Sequence, residues 1–339
     1  MELGNNTVKT LGGYSIIHNK ILMEIGEIKK CNEFKYLGVK ISNNKDVFKN
    51  HLTEKLKNID KYKYWMTYLL KGRKEKILLG KTIWKNVMLP KIMHGSSAII
   101  TSKKFNDKLN KTQNSIFKSI LGLPTYAPEE YIRGEVGLSS QNWRDVKCKI
   151  LMLKHIMNNT NKLKRMIIEE WETGIIDWIE DCKLKLNKID MTVEELTSEK
   201  TTGVLKRINK YDNEEWNRTG RKKGSLKWYF ESRFTIGGRK LLTTENGSYI
   251  TRRWICGAVL LNAKIGKDTQ EKLCLKCNVE ENMEHVMKNC ERYRDLRKKY
   301  KIEQQTKMEI ILGIEDYKMY EKYRIELYEQ FKCRTTTMK

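Results

Sequence analysis

Residues 48–69 read FKNHLTEKLKNIDKYKYWMTYL. Phe48, Leu52, Leu56, Ile59, Tyr62, Met66 and Leu69 recur at intervals of three and four, the spacing that gathers apolar side chains on one face of a helix. The same period returns downstream. Ile77, Leu78, Ile83, Trp84, Val87 and Met88 predict a second helix that stops at Pro90, which lacks an N–H and crowds the preceding turn. Phe105, Leu109, Ile116, Phe117 and Ile120 predict a third, ended by Gly122 and Pro124, and Val146, Ile150, Leu151 and Leu153 a fourth. With only 3 prolines in 339 residues, the chain is expected to be mainly α, and residues 48–186 to form a helical bundle with the apolar faces inside.

Upstream, residues 1–47 change period. Ile21, Met23 and Ile25 precede Gly26-Glu27, and Phe34, Tyr36 and Leu37 precede Gly38, which predicts a short β-hairpin or two short strands near the N-terminus. Downstream, residues 187–250 are expected to be a polar linker ending in a basic and aromatic segment. Within it Thr192-Val193-Glu194-Glu195 has the form of a capping box. Arg218-Thr219-Gly220-Arg221-Lys222-Lys223-Gly224 is followed closely by Lys227-Trp228-Tyr229-Phe230. Arg221, Lys222, Lys223, Lys227 and Trp228 suit phosphate contact and base stacking. A solvated charge run leading into a buried aromatic helix accounts for the same residues equally well.

The last segment, residues 251–339, carries Cys274-x2-Cys277-x7-His285-x4-Cys290 and is expected to end in helices. Thiolate and imidazole are ligands that Zn²⁺ favours, and this spacing can close a tetrahedron as a small CCHC knuckle. Four protein ligands leave no open position, so the expected zinc is structural. Cys31, Cys148, Cys182, Cys256 and Cys333 show no pairing pattern and are expected to be free thiols in a reducing compartment. No signal peptide and no membrane span is legible, so the expected location is intracellular, nucleus or cytoplasm.

A net charge of +25 favours a polyanionic partner, RNA or DNA above all, with an acidic protein or membrane surface as the competing explanation. Lys, Asn and Ile are abundant together, as biased base composition would make them, so charge alone does not choose. No phosphate loop, nucleophile elbow or H-E-x-x-H pair occurs. The acidic doublets, such as Glu129-Glu130 and Glu280-Glu281, suit solvated helix faces. No catalytic residue is assigned.

Taken in order, several segments resemble a known family. Phe34-Lys35-Tyr36-Leu37-Gly38-Val39-Lys40-Ile41 resembles the segment that ends the palm in reverse transcriptases of non-LTR (LINE-type) retrotransposons. Leu89-Pro90-Lys91-Ile92-Met93-His94-Gly95, Gln113 to Pro124 and Gly134-Glu135-Val136-Gly137-Leu138 resemble its thumb and continuation, with a Cys-Cys-His-Cys knuckle as the usual companion. His94 stands where many members have tyrosine. The resemblance spans residues 21 to 295. It implies a palm-end remnant over 1–47 and a thumb-like bundle over 48–186, with Tyr36, Leu37 and Gly38 near the primer end of a bound template–primer. It implies as well that the metal-binding carboxylates of the polymerase lie upstream of this chain, which contains no Asp-Asp pair, and no endonuclease motif follows the knuckle. The expected function is thus a nucleic-acid-binding fragment of an RNA-directed DNA polymerase that does not polymerise alone. The alternatives are part of an active polymerase whose palm is encoded upstream, and a zinc-dependent adaptor for acidic proteins.

Overall fold

Helices dominate the chain, as the spacing of its apolar residues predicts. The structure is a computed structural model that describes residues 16–17, 20–23, 26–27, 32–43, 46–73, 75–159, 162–173, 176–232, 235–237, 249–259, 261, 268–314, 316 and 318–336. Among the described residues, five short strands come first: β1 (Ile16–Ile17), β2 (Lys20–Met23), β3 (Gly26–Glu27), β4 (Glu33–Tyr36) and β5 (Val39–Ser42). The helices are α1 (Lys49–Leu70), α2 (Lys76–Ile83), α3 (Leu89–Ile92), α4 (Lys103–Leu121), α5 (Glu129–Val136), α6 (Gln141–Met157), α7 (Lys162–Thr173), α8 (Asp177–Asn187), α9 (Val193–Ser198) and α10 (Thr201–Arg221). After them come α11 (Lys227–Glu231), α12 (Tyr249–Ile255), α13 (Arg294–Lys299), α14 (Met308–Leu312) and α15 (Glu321–Thr336). No described helix is long and apolar enough to cross a membrane. Among the described residues, Cys148, Cys182 and Cys256 form no disulfide, while Ile25, Cys31 and the side chain of Cys333 lie outside what is described.

The chain divides into two compact units, one of Met1–Tyr62, Asn86–Leu109 and Arg144–Thr201, the other of Lys63–Lys85, Asn110–Trp143 and Thr202–Lys339. These units do not follow the four consecutive segments 1–47, 48–186, 187–250 and 251–339, because helix faces remote in sequence share a core.

In the first unit, β1, β2 and β3 form one antiparallel ladder and β4 and β5 another. The second is a two-residue hairpin in which Tyr36 pairs with Val39. Leu37 (φ 45°) and Gly38 (φ 86°) both take positive φ, which a tight hairpin turn of this twist demands and which glycine adopts without strain. The tip is held from behind. His94 Nε2 donates to Leu37 O at 2.8 Å, and a Cβ on Gly38 would stand 3.1 Å from that same nitrogen. Buried His51 accepts the Lys40 N–H on Nδ1 at 3.3 Å and faces His94 O through Nε2 at 3.4 Å.

That arrangement requires a neutral His51 ring, and burial accordingly lowers its pKa, with the His94 carbonyl opposing. An unfolded histidine protonates near pH 6.5, whereas folded His51 resists until a lower pH. Its contribution to stability is therefore complete above about pH 6.5 and is lost as pH falls through the folded value. The expected result is a fall in melting temperature between pH 7.5 and 5.5 that is smaller in His51→Gln than in the parent.

Where sequence predicts a stop at Pro90, the helix continues to Ile92. The reason is local: residues Trp84–Met88 form a π-turn just before the proline. A widened turn relieves the clash between the proline ring and the carbonyl four residues back. The third predicted helix does end at Leu121, where Gly122 takes φ 70° and the Leu123 N–H donates to Lys118 O at 2.8 Å, closing the last turn.

Among its described residues, the expected polar linker over 187–250 is largely helical. Thr192 and Glu195 form the predicted capping box at the start of α9. At the other end of that helix, buried Lys154 donates to Leu196 O and Glu199 O, both at 2.6 Å, which satisfies carbonyls that a helix terminus leaves open.

In the second unit, α10 runs for 21 residues and buries Val204, Ile208, Asp212, Trp216 and Gly220 along one stripe. Asp212 is buried because the Arg133 guanidinium donates to it at 2.6 Å. Trp216 donates through Nε1 to Glu130 O at 2.8 Å. Its ring lies 4.6 Å from that of Phe230 and 6.4 Å from that of Tyr229, and Tyr131 completes the cluster 5.1 Å from Tyr229. This stretch forms core because Arg133 pairs with its one buried acid and the Phe230 ring packs against the bare backbone of Gly220.

Candidate metal centre

Cys274 and Cys277 sit on a miniature hairpin in the second unit. Leu273 and Glu280 bridge antiparallel across its base. Within it the Cys274 N–H donates to Val279 O at 2.7 Å and the Asn278 N–H to Cys274 O at 2.8 Å. Asn278 takes φ 54°, a conformation asparagine tolerates better than most residues. His285 and Cys290 come from one wide turn, His285–Asn289. Asn282 Oδ1 accepts the His285 N–H at 2.9 Å at its start, and the Cys290 N–H donates to His285 O at 2.7 Å at its end.

The two pieces bring four ligand atoms within 4.8 Å of one another. Cys290 Sγ lies 3.7 Å from that of Cys274 and 3.9 Å from that of Cys277. Metal–sulfur bonds of about 2.3 Å in a tetrahedron place the sulfurs about 3.8 Å apart, whereas a disulfide needs about 2.05 Å. Nε2 of His285 is buried without a hydrogen-bond partner, an arrangement that costs free energy unless something binds there. The cluster is close enough to hold one metal ion, and its donor set is compatible with zinc.

The electrostatics agree. Burial pushes the Cys290 thiol up to about 12, and the neighbouring sulfurs of Cys274 and Cys277 add to the rise. Cys274 moves the other way: burial raises it, but the N–H groups of Lys276 and Cys277 and the thiols beside it donate to its sulfur and bring it below the usual thiol value. The Glu291 N–H donates to Cys277 Sγ at 3.4 Å. Three adjoining sulfurs cannot all ionise without a cation between them, so metal binding here would displace protons. Burial lowers the pKa of His285 and keeps the ring neutral, the form that ligates. Val286 and Met287 between the ligands are buried, and the Tyr323 hydroxyl on α15 donates to Met287 O at 2.6 Å. The cluster thereby anchors the C-terminal helix.

The residues predicted to touch nucleic acid fall in two places. Tyr36 and Leu37 stand exposed at the hairpin tip, at 59% and 77% of full exposure, with Gly38 beside them. Arg221 ends α10, and Arg221 and Lys222 are exposed and form no ion pair among the described residues. Lys223 differs, since its Nζ lies 2.5 Å from Glu130 Oε2. The Lys227 ammonium sits over the half-buried Trp228 ring, 4.4 Å from its centroid, and covers one face that a base would otherwise use. Tyr229 and Phe230 are core. The run is thus exposed charge leading into a buried aromatic helix.

Sequence reasoning passed over the outer face of α1. Tyr64, Trp65 and Tyr68 are exposed there. A signal was available, since the core positions Ile59 and Met66 place Tyr64 and Tyr68 on the opposite side of a 3.6-residue period and Trp65 on its flank.

No protein-family model, no curated protein and no solved structure matches this chain.

Proposed function

We propose that the chain is a zinc-stabilised nucleic-acid-binding protein, equivalent to the thumb and C-terminal region of a non-LTR reverse transcriptase, that grips RNA or DNA without polymerising. The observation that carries this reading is the Cys274, Cys277, His285 and Cys290 cluster on a chain of net charge +25. Zinc here has a structural role, because protein fills all four positions and the cluster pins α15. The resemblance gains support from the first unit, where two of its segments interlock. Leu37-Gly38 and His94 are hydrogen-bonded, and a Cβ on Gly95 would come 2.7 Å from Val39 Cγ2. In a complete element the partners are the template–primer and the remainder of the polymerase, in the nucleus or cytoplasm.

Filter binding of the purified chain to RNA and to DNA across a salt series tests this. Affinity is expected to fall steeply with salt and to vary little with sequence. Arg221→Ala/Lys222→Ala should flatten the slope of log K against log salt by up to about 1.4 to 1.8, at about 0.7 to 0.9 for each lost phosphate contact. Lys223, engaged by Glu130, should contribute less. Affinity that ignores salt would remove the reading. The competing adaptor role draws on Leu275 and Val279, which stand exposed on the cluster's hairpin. Capture of a protein that survives nuclease treatment would favour it.

A further inference from the structure

The outer face of α1 is chemically unlike the rest of the helix surface. Tyr64, Trp65 and Tyr68 are 78%, 46% and 73% exposed, while Met66 and Leu70 between and after them are buried. Residues three and four apart are neighbours on a helix surface, so Tyr68 adjoins both Trp65 and Tyr64 and the three rings form one patch. None has an aromatic or cationic partner among the described residues. A contiguous aromatic patch left in water marks an interaction site more often than chance.

The charge beside it identifies the partner. Residues 61 to 74 contain no acid. Lys71, three residues after Tyr68, and Arg73 are exposed, and Lys71 forms no ion pair among the described residues. Arg73 Nε donates to Leu69 O at 3.1 Å, which leaves its terminal N–H groups for a ligand. Asp60, one turn before Tyr64, is neutralised by Lys108 Nζ at 2.9 Å, and exposed rings with unpaired cations beside them suit a polyanion whose π-faces are accessible. In a duplex those faces are stacked inside, whereas in an unpaired strand they are open to aromatic side chains.

We infer that Tyr64, Trp65 and Tyr68 form a stacking platform for an unpaired nucleic-acid strand, with Lys71 and Arg73 at its phosphates. This rests on the nucleic-acid reading above and gives it a site on α1 apart from the hairpin tip and the Arg221 to Lys227 run.

The test compares the full chain with Tyr64→Ala/Trp65→Ala/Tyr68→Ala for binding to an unstructured 20-nucleotide strand and to a duplex of equal length. Each stacked base lost should weaken strand binding at least about fivefold, so two should weaken it about 25-fold, with duplex affinity and the salt slope unchanged. Lys71→Ala/Arg73→Ala should instead flatten the strand's salt slope by about 1.4. If the parent binds neither ligand, the nucleic-acid reading itself falls. If the parent binds and the aromatic variant binds equally well, only this platform falls. Equal loss for strand and duplex, or a parent dimer that the variant dissolves, would also overturn it. Should the variant fail to fold, photo-crosslinking of the unaltered protein to an iodouridine strand decides. Adducts within residues 63–71 are expected, and adducts confined to other segments would contradict the platform.

Discussion

Cys277→Ser, or chelation of the intact protein, is expected to unfold the C-terminal part of the chain while leaving helical signal from the first unit. Structural zinc sites supply about 10–16 kcal/mol of apparent binding free energy that folding depends on, and a whole domain has only about 5–15 kcal/mol in reserve. Here the ligands come from two short pieces, a miniature hairpin and a single wide turn, neither long enough to hold its shape alone. Loss should spread outward through Met287 and Tyr323 to α15. Near-ultraviolet circular dichroism and limited proteolysis, followed with zinc content, would show it. Tyr323→Phe serves as a control: it removes one hydrogen bond and should cost about 1 kcal/mol. Full retention of structure by metal-free Cys277→Ser would mean that the cluster is not a structural metal site.

The second large effect is expected at the aromatic cluster around Trp216 in the second unit. Trp216 is fully buried, and its truncation to alanine should cost about 3–5 kcal/mol. The neighbouring glycines give a sharper test because packing reverses their sign. In a helix interior Gly→Ala ordinarily stabilises by up to about 1 kcal/mol. At Gly220, however, a Cβ would overlap the Phe230 ring, and at Gly134 it would overlap the Tyr229 hydroxyl and the Trp216 ring. Both substitutions should destabilise, by about 1–3 kcal/mol each from overpacking. Gly224 has nothing within 4 Å of the same position, so Gly224→Ala should be close to neutral. Denaturant midpoints of the four variants would check the order Trp216→Ala, then Gly220→Ala and Gly134→Ala, then Gly224→Ala.

Local rules carried much of this fold into the sequence. Four helical periods, the hairpin around Leu37-Gly38, the capping box at Thr192 and the Cys/His cluster all follow from spacing and residue chemistry within a few turns of chain. What escaped depends on partners distant in sequence. α10 looked polar because its buried stripe includes Asp212, which needs Arg133, and Gly220, which makes room for Phe230. Neither reason is visible within residues 201–221. Pro90 was expected to end a helix, but a π-turn upstream can absorb its ring. On α1 the difficulty was of another kind. Tyr64, Trp65 and Tyr68 fall outside the apolar period that Ile59 and Met66 set, so a reading that follows the core face alone gives them no role, and their exposure marks a second face.

The central claim, a basic chain whose C-terminal part is tied together by zinc, is tested most directly by zinc-edge X-ray absorption on the purified full-length protein. One zinc per chain is expected, with three sulfur neighbours at about 2.3 Å and one nitrogen at about 2.0 Å. Substoichiometric metal, or a shell of oxygen ligands, would contradict it.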